Sequence, residues 1–366
     1  MARRSLFVDG TRRWAAWIVQ EGTAGSVGEP FVDGTHRYAA RIAHKRWGGT
    51  SDGHQVDHPT AQDWCRSSAV WKGQRMKWTV PFPLFPAEHL VPMAKAADAV
   101  GFDTIAMPDS VFFPETVSAD YPYAPDGGRF WAPETPFVDP FVGITAMIGV
   151  TEHVRFTTNV VKLPLRDPLL VAKQLTSMAA LSGDRMSIGV GLSWIPEEFE
   201  WTRTQMKTRG KRADEMIEII RLLCAGNGPE WVEYHGEHYD FGRLMMSPTG
   251  SKPLPIYVGG LSEPAFRRAA RLADGWISVQ NTEEEITHAI AELRRYRHEY
   301  GTADRPFEIN ALPTDVFDVD GFKRLEDKGV TELQAVPWYF TGKDPDDLQN
   351  RLDSLEWWAA TVMAQV

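Results

Sequence analysis

The stretch Pro255-Ile256-Tyr257-Val258-Gly259-Gly260-Leu261-Ser262-Glu263 joins a short apolar strand to an amphipathic helix through two glycines. A strand that ends in this way leaves backbone N–H groups exposed at the start of a helix, where the helix dipole favours an anion. Glycine also lets a ligand approach the backbone closely, because it carries no side chain. The pattern predicts a phosphate seat at Gly259, Gly260 and Ser262. The alternative is a tight turn in which Ser262 is an ordinary N-cap.

The same strand-then-helix unit repeats along the chain from Met76 onward. The predicted strands are 78–82, 104–107, 154–161, 186–190, 255–258, 275–278, 307–310 and 332–336. The predicted helices are 90–101, 139–150, 168–181, 209–224, 263–273, 283–300, 319–328 and 345–363. Eight such units are typical of an α/β fold of the (β/α)8 TIM-barrel type, here with insertions, the clearest a hairpin near 226–250. A doubly wound open sheet is the alternative, because strand order cannot be read from one sequence.

Residues 1–75 do not continue this pattern. Phe7–Ala16 recurs imperfectly as Phe31–Ala40, and two copies are too few for a solenoid. The formal charge is +4 through Arg75 and −14 in the remainder. We therefore place a boundary between an extension at 1–75 and the barrel at 76–366. The extension is interpreted as disordered, or as a translation start placed too early with Met76 as the natural beginning, in preference to a small accessory module or basic arm.

Composition and charge exclude several classes of function. The acidic body, at a net charge of −10 for the whole chain, argues against nucleic-acid binding, and no apolar run reaches the ~18 residues of a membrane span. Only Cys65 and Cys224 are present, which gives neither a disulfide framework nor a zinc site, so we expect a cytoplasmic protein. His235 and His238 fall short of the usual number of metal ligands, so we expect no metal.

A second glycine pair occurs in Ser187–Trp194, at the end of the fourth predicted strand. Trp194 occupies the third glycine position of a dinucleotide fingerprint, so a Rossmann motif is disfavoured. Two glycines at a barrel-strand end fit better with a flat ring that lies against the backbone, near Gly191 and Ser193. Trp194 is then a wall of that pocket, or alternatively a core aromatic. Glu197 follows in the first turn of a helix, where a carboxylate is also favoured by the helix dipole alone.

Several motifs in combination resemble the bacterial-luciferase-like superfamily. They are Asn159–Pro168, Ala172–Gln174, Leu181–Arg185, Gly189–Gly191, Gly259–Ser262 and Ala273–Trp276. The resemblance covers about residues 76–340. Within the superfamily, the chain most resembles the F420-dependent oxidoreductase branch. It implies a (β/α)8 fold, a homodimer, and a deazaflavin or FMN at the barrel mouth.

The resemblance also implies roles for individual residues. A non-proline cis peptide is expected at Asn159-Val160, where the resulting bulge would support the cofactor ring. Gly259 and Gly260 would receive the phosphate. Gly191, Ser193, Trp194 and Glu197 would line the ring.

One departure concerns the second strand, which in this family often ends in Asp-His. Here the pair is Asp109-Ser110, and serine does not titrate near neutrality as histidine does. Asp109 remains a candidate for cofactor or proton contact, against the alternative of an aspartate that caps a loop. The sequence thus predicts an F420-dependent oxidoreductase, with Asp109, Trp194 and Glu197 near the reacting centre and a small organic substrate. An FMNH2-dependent monooxygenase and a non-catalytic flavin-binding barrel are the alternatives.

Overall fold

A computed structural model describes residues 75–121, 128–129 and 131–366. The strands are β1 Lys77–Pro81, β2 Thr104–Met107, β3 Arg155–Thr158, β4 Val161–Lys162, β5 Ile188–Gly191, β6 Trp231–His235, β7 Asp240–Met245, β8 Ile256–Gly259, β9 Gly275–Ile277, β10 Glu308–Ala311 and β11 Glu332–Gln334. All but β6 and β7 form one parallel sheet in the order β3-β2-β1-β11-β10-β9-β8-β5-β4. The predicted extension at 1–75, except Arg75, lies outside the described residues.

This strand order defines a barrel. The first strand pairs with the last, β1 with β11, and β3 and β4 are two segments of one strand that pairs with β2 on one side and β5 on the other. The eight-stranded (β/α)8 barrel is therefore confirmed, and the open doubly wound sheet is wrong. The predicted strand 154–161 is wrong in one respect, because it is interrupted at Asn159 and Val160.

The helices lie outside the barrel and follow their strands as predicted. They are α1 Ala87–Val100, α2 Pro140–Ile148, α3 Pro168–Ser182, α4 Pro196–Trp201, α5 Arg209–Leu223, α6 Glu263–Leu272, α7 Glu283–Glu299, α8 Val319–Lys328 and α9 Leu348–Thr361. Local chemistry fixes many of these ends. Side chains that accept from first-turn N–H groups begin five of the helices: Asp139, Asp167, Thr282, Asp318 and Asp347. Left-handed glycines end three: Gly101, Gly183 and Gly329.

The two faces of the strands bury different chemistry. Side chains that point outward are apolar and pack on the helices; Trp78, for example, lies 5.4 Å from the ring of Phe322 and 5.7 Å from that of Trp358. Side chains that point into the barrel are largely polar. They include Lys77, Thr79, Tyr257, Glu308, Asn310, Glu332 and Gln334. The interior of this barrel is thus held by hydrogen bonds and ion pairs, while the apolar core lies between strands and helices.

Polar contacts at the N-terminal ends of the strands form what we call the base network: Lys77, Thr79, Arg155, Tyr257, Glu308 and Glu332. Lys77 forms an ion pair with Glu308, and the Tyr257 hydroxyl donates to Glu308 Oε2 at 2.6 Å. Thr79 Oγ1 donates to Glu332, whose second oxygen lies 3.6 Å from Arg155 Nη2. Every member belongs to a barrel strand, so the network ties strands to one another across the interior.

The insertion predicted as a surface hairpin is the antiparallel pair β6–β7. Its turn is fastened to α5 by Glu215, which accepts from the backbone N–H groups of Glu237, His238 and Tyr239. Among the described helices, none combines the length and apolar character that crossing a bilayer requires. The same residues contain no group of three or more His, Cys, Asp or Glu side chains arranged to hold a metal ion.

Candidate active site at the barrel mouth

The third barrel strand is broken by a bulge at its C-terminal end. The peptide bond between Asn159 and Val160 is cis, which confirms the geometry expected there. At this point the Thr158 side chain takes the place of a strand-to-strand backbone bond. Its hydroxyl donates to the Gly189 carbonyl at 2.7 Å and accepts from the Gly189 N–H at 3.1 Å. The bulge is therefore fixed to β5 by a side chain rather than by a regular ladder.

Glycines on the neighbouring strands make room for the bulge. A Cβ atom on Gly189 would lie 2.1 Å from the Thr158 carbonyl oxygen, and one on Gly191 would lie 2.6 Å from Val160 Cγ2. On β8, a Cβ on Gly259 would lie 3.0 Å from Val160 Cγ1. From the sequence, Gly191 and Gly259 were interpreted as points where a ligand approaches the backbone closely. The structure gives both a packing reason, because each accommodates the Val160 side chain.

Asn159 places a polar group at the same strand end. Its Nδ2 donates to Gln334 Oε1 at 2.9 Å, and Gln334 in turn donates to the Ser278 carbonyl at 3.2 Å. The Oδ1 atom of Asn159 is buried and accepts no hydrogen bond from the described residues. A buried acceptor without a donor is costly unless a ligand supplies one. Asn159 is thus suited to receive an N–H group from a bound molecule.

Asp109, predicted near the reacting centre, anchors the segment that follows the bulge. Its carboxylate accepts two hydrogen bonds from the Arg166 guanidinium at 2.8 and 3.0 Å, and one from the Lys162 N–H at 2.8 Å. The side chain is 1% exposed, so both oxygens are engaged and enclosed. These contacts correspond to the loop-capping alternative, and they make Asp109 an anchor for β4 and for Arg166.

A second buried ion pair, which was not predicted from the sequence, joins β4 to α4. Lys162 pairs with Glu198, whose side chain is fully buried, and Ser193 Oγ donates to Glu198 Oε2 at 2.6 Å. Lys162 is a lone charge in the apolar run Val160–Leu165. A charge directly after the predicted strand 154–161, within an apolar run, requires a partner. That requirement was the feature of the sequence that could have identified the pair. We call Asp109–Arg166 and Lys162–Glu198 the mouth pairs.

Ser193 adopts a left-handed backbone conformation with φ of 59°. Residues other than glycine that are held at positive φ occur frequently at functional sites. Here the turn directs the Ser193 hydroxyl to Glu198. The predicted ring-lining residue therefore lies in the loop that follows β5, the strand that pairs with β4.

Trp194 and Glu197 contact the loop that follows β2. Trp194 is half-buried and packs edge-on against Tyr121 at 5.3 Å, so it is not a core aromatic. Glu197 Oε1 accepts from the Ser118 N–H at 2.9 Å, and hydrogen bonding by Ser118 lowers the pKa of the Glu197 carboxyl. These two predicted residues connect two mouth loops.

The turn between β8 and α6 is the predicted phosphate seat. Gly260 has φ of 112°, and its carbonyl accepts from Trp276 Nε1 at 2.9 Å, which fixes the turn. Ser262 occupies the N-cap position, but its side chain makes no capping hydrogen bond. The first turn of α6 is thus left without the side-chain acceptor that an ordinary N-cap supplies.

The predicted residues converge on neighbouring strands. Sheet order places β4, β5 and β8 side by side, so the bulge, Gly191 and the Gly259-Gly260 turn form one continuous face. Asp109 lies across the bulge from this face, after β2. Together they lie at the C-terminal ends of the barrel strands, where TIM-barrel enzymes hold their active sites.

The fold and the position of the predicted site are those of TIM-barrel enzymes. Comparison with known proteins identifies the family to which the chain belongs. Residues 60–314 match the family described as luciferase-like monooxygenase, and the chain belongs to that family. An uncharacterized protein of Mycobacterium tuberculosis is 45% identical over 279 residues, which cover 75% of this chain and 95% of that protein.

A further relative and a solved structure of similar fold are named for different cofactors. The F420-dependent glucose-6-phosphate dehydrogenase of Nakamurella multipartita is 28% identical over 200 residues, which cover 53% of each protein. Among solved structures, a type II Baeyer-Villiger monooxygenase of Pseudomonas putida in complex with FMN has a TM-score of 0.58 at 14% identity. That alignment covers 80% of this chain and 99% of the other and shows the shared fold.

Proposed function

We propose that the protein is an oxidoreductase that binds coenzyme F420 at the barrel mouth and transfers hydride between this deazaflavin and a small organic substrate. The observation that carries the proposal is the face formed by the cis Asn159-Val160 bulge and the uncapped turn at Gly260 and Ser262. A flat ring that carries N–H donors, joined to a phosphate, matches both the orphaned Asn159 acceptor and the first turn of α6.

Different residues of the barrel mouth would bind different parts of such a cofactor. Gly260 and Ser262 would hold the phosphate through backbone N–H groups, and Asn159 Oδ1 would accept from the ring. Val160 would support the ring from below, while Trp194 and the loop after β2 would close one side. When bound, the cofactor supplies the redox chemistry; the chain binds it, orients it and excludes water.

Asp109 holds this arrangement from behind, because it fixes the Lys162 backbone immediately after the bulge. The neighbour Ser110 stands where the family often has histidine, so a histidine-based proton transfer at this position is unavailable. The family relative named as F420-dependent favours the deazaflavin. The family description as monooxygenase favours the second candidate, an FMNH2-dependent monooxygenase on the same site.

A side-by-side titration separates these candidates. The purified protein is expected to bind F420 more tightly than FMN, as measured by fluorescence or calorimetry. The reverse order would favour the monooxygenase, and failure to bind either cofactor would contradict both enzymatic proposals.

The phosphate seat is tested by Gly260→Asp, which puts a carboxylate where the phosphate is expected. Binding should fall at least tenfold. Gly101→Asp is the matched control, because Gly101 also has positive φ, of 90°, but ends α1 with open space around it. Equal losses of affinity in both variants would show that the seat lies elsewhere.

A further inference from the structure

The ion pair between Lys162 and Glu198 lies directly beside the proposed ring face. The Lys162 backbone is in register with Gly191, so their side-chain positions share one face of the sheet. A Cβ atom on Gly191 would lie 2.6 Å from Val160 Cγ2, which places Val160 on the same face. Val160 on that side contacts the glycine positions of β5 and β8. The Lys162 side chain therefore starts at the rim of the face that would hold the ring.

The two partners of the pair differ in exposure. The Glu198 side chain is 0% exposed and the Lys162 side chain is 13% exposed, so solvent reaches the lysine side chain but not the carboxylate. Ser193 Oγ donates to the second Glu198 oxygen, and Asp109 holds the Lys162 N–H. The lysine is thus fixed at its backbone and at its charged end.

A buried ion pair is a weak source of stability, since the desolvation of two charges offsets their attraction and apolar residues often replace such a pair at no cost. The position is otherwise apolar, with Val161 and Leu163 buried on either side. A charge kept there, with three groups committed to holding it, points to a role in binding or chemistry.

We propose that Lys162 is the cation that makes the site bind the reduced cofactor more tightly than the oxidised one, with Glu198 and Ser193 as positioning residues. This inference rests on the proposed function. Hydride transfer breaks a substrate C–H bond and moves two electrons and one proton to the ring, and the oxidised substrate keeps one positive charge or releases a proton to water. The ring gains one negative charge unless it takes up a second proton. A fixed ammonium beside the ring stabilises that added charge, and charge near the ring nitrogens is a recognised way for a protein to tune a cofactor.

The test is the ratio of the dissociation constants for oxidised and reduced F420, measured anaerobically on the full chain. Both forms carry the same phosphate and tail, so contacts to those groups cancel in the ratio. Lys162→Met should lower the ratio roughly tenfold, which equals about 30 mV for a two-electron couple. Glu198→Gln leaves the ammonium without its neutralising partner and should raise the ratio. Lys211→Met, which breaks an exposed ion pair with Glu237, should leave it unchanged.

Opposite shifts in the two variants support the proposal, because a purely structural clamp would weaken both cofactor forms in both variants. An unchanged ratio, or a shift of the same sign in both, overturns it while leaving the proposed function intact. If Lys162→Met does not fold, the Lys162→Met/Glu198→Gln variant leaves no charge unpaired and should show the same fall. Failure of the wild-type protein to bind any flavin-type cofactor would remove the proposed function and this inference together.

Discussion

The base network and the mouth pairs use the same residue types for different purposes. In the base network every partner comes from a strand, so barrel register alone sets the distances between charges. In the mouth pairs one partner comes from a strand end and the other from a loop or helix, as with Lys162 and Glu198. The base network therefore links the barrel strands to one another, and the mouth pairs fasten loops and a helix to the strand ends. At the mouth, the Asn159 acceptor, which has no donor among the described residues, belongs to the same face as the turn at Gly260 and Ser262.

The largest expected effect comes from the point where the mouth is most tightly packed. Gly189→Ala would place a Cβ atom 2.1 Å from the Thr158 carbonyl oxygen, a backbone atom that cannot rotate away. We expect a loss of about 3 kcal/mol or more in the free energy of unfolding, measured in urea. Gly149→Ala is the control, since its nearest contact would be at 3.9 Å. Similar midpoints for the two variants would show that the bulge adapts freely.

A matched pair of substitutions then separates the two regions by function. Glu332→Gln in the base network and Asp109→Asn at the mouth each remove one charge from a buried pair, and each should cost about 2–3 kcal/mol of stability. Cofactor affinity should stay within about twofold in Glu332→Gln. It should fall at least fivefold in Asp109→Asn, because β4 loses its anchor after the bulge. Equal affinities in the two variants would contradict the functional distinction.

The barrel could be predicted because its apolar core lies between the strands and the helices, where burial produces a periodic pattern of apolar residues in the sequence. Outward-facing strand residues and the inner faces of the helices are apolar, so each unit is visible as a short apolar run followed by a helical period. The break at Asn159 and Val160 was not visible in periodicity. It was expected only because the surrounding motif resembles a family with a cis peptide there.

The site was predictable where it depends on local sequence and not where it depends on strand order. The Gly259-Gly260 turn belongs to one strand–helix unit and could be identified from it. The partnership of Lys162 with Glu198 requires knowing that β4 lies beside β5. Sequence reasoning chose Glu197 instead, but consecutive helical residues point about 100° apart. Glu197 meets Ser118 in the loop after β2, while Glu198 turns inward to β4.

A smaller effect is expected where the clash involves a side chain instead of backbone. In Gly191→Ala the added Cβ would meet Val160 Cγ2 at 2.6 Å, and we expect a cost of about 1–2 kcal/mol. In a Val160→Ala background the obstructing methyl groups are gone, so the same substitution should cost much less. A double-mutant cycle in urea measures this coupling. Additive losses would mean that Gly191 is required for another reason, such as approach of the ring.

The smallest effect concerns the acid limb of stability and belongs to the base network. Burial alone would raise the pKa of the Glu308 carboxyl, but the Lys77 ammonium and the Tyr257 hydroxyl lower it below its ordinary value. A carboxyl whose folded pKa is depressed stabilises the protein above its unfolded pKa, about 4.3 for glutamate. That contribution is lost as pH falls through the folded pKa.

Unfolding free energy should therefore decline below about pH 4.3, and Glu308→Gln should reduce the slope of the decline. Glu284→Gln, a change at an exposed position in α7, should not. If the acid slopes of wild type and Glu308→Gln coincide, the Lys77–Glu308 pair does not contribute to stability in the way the base network requires.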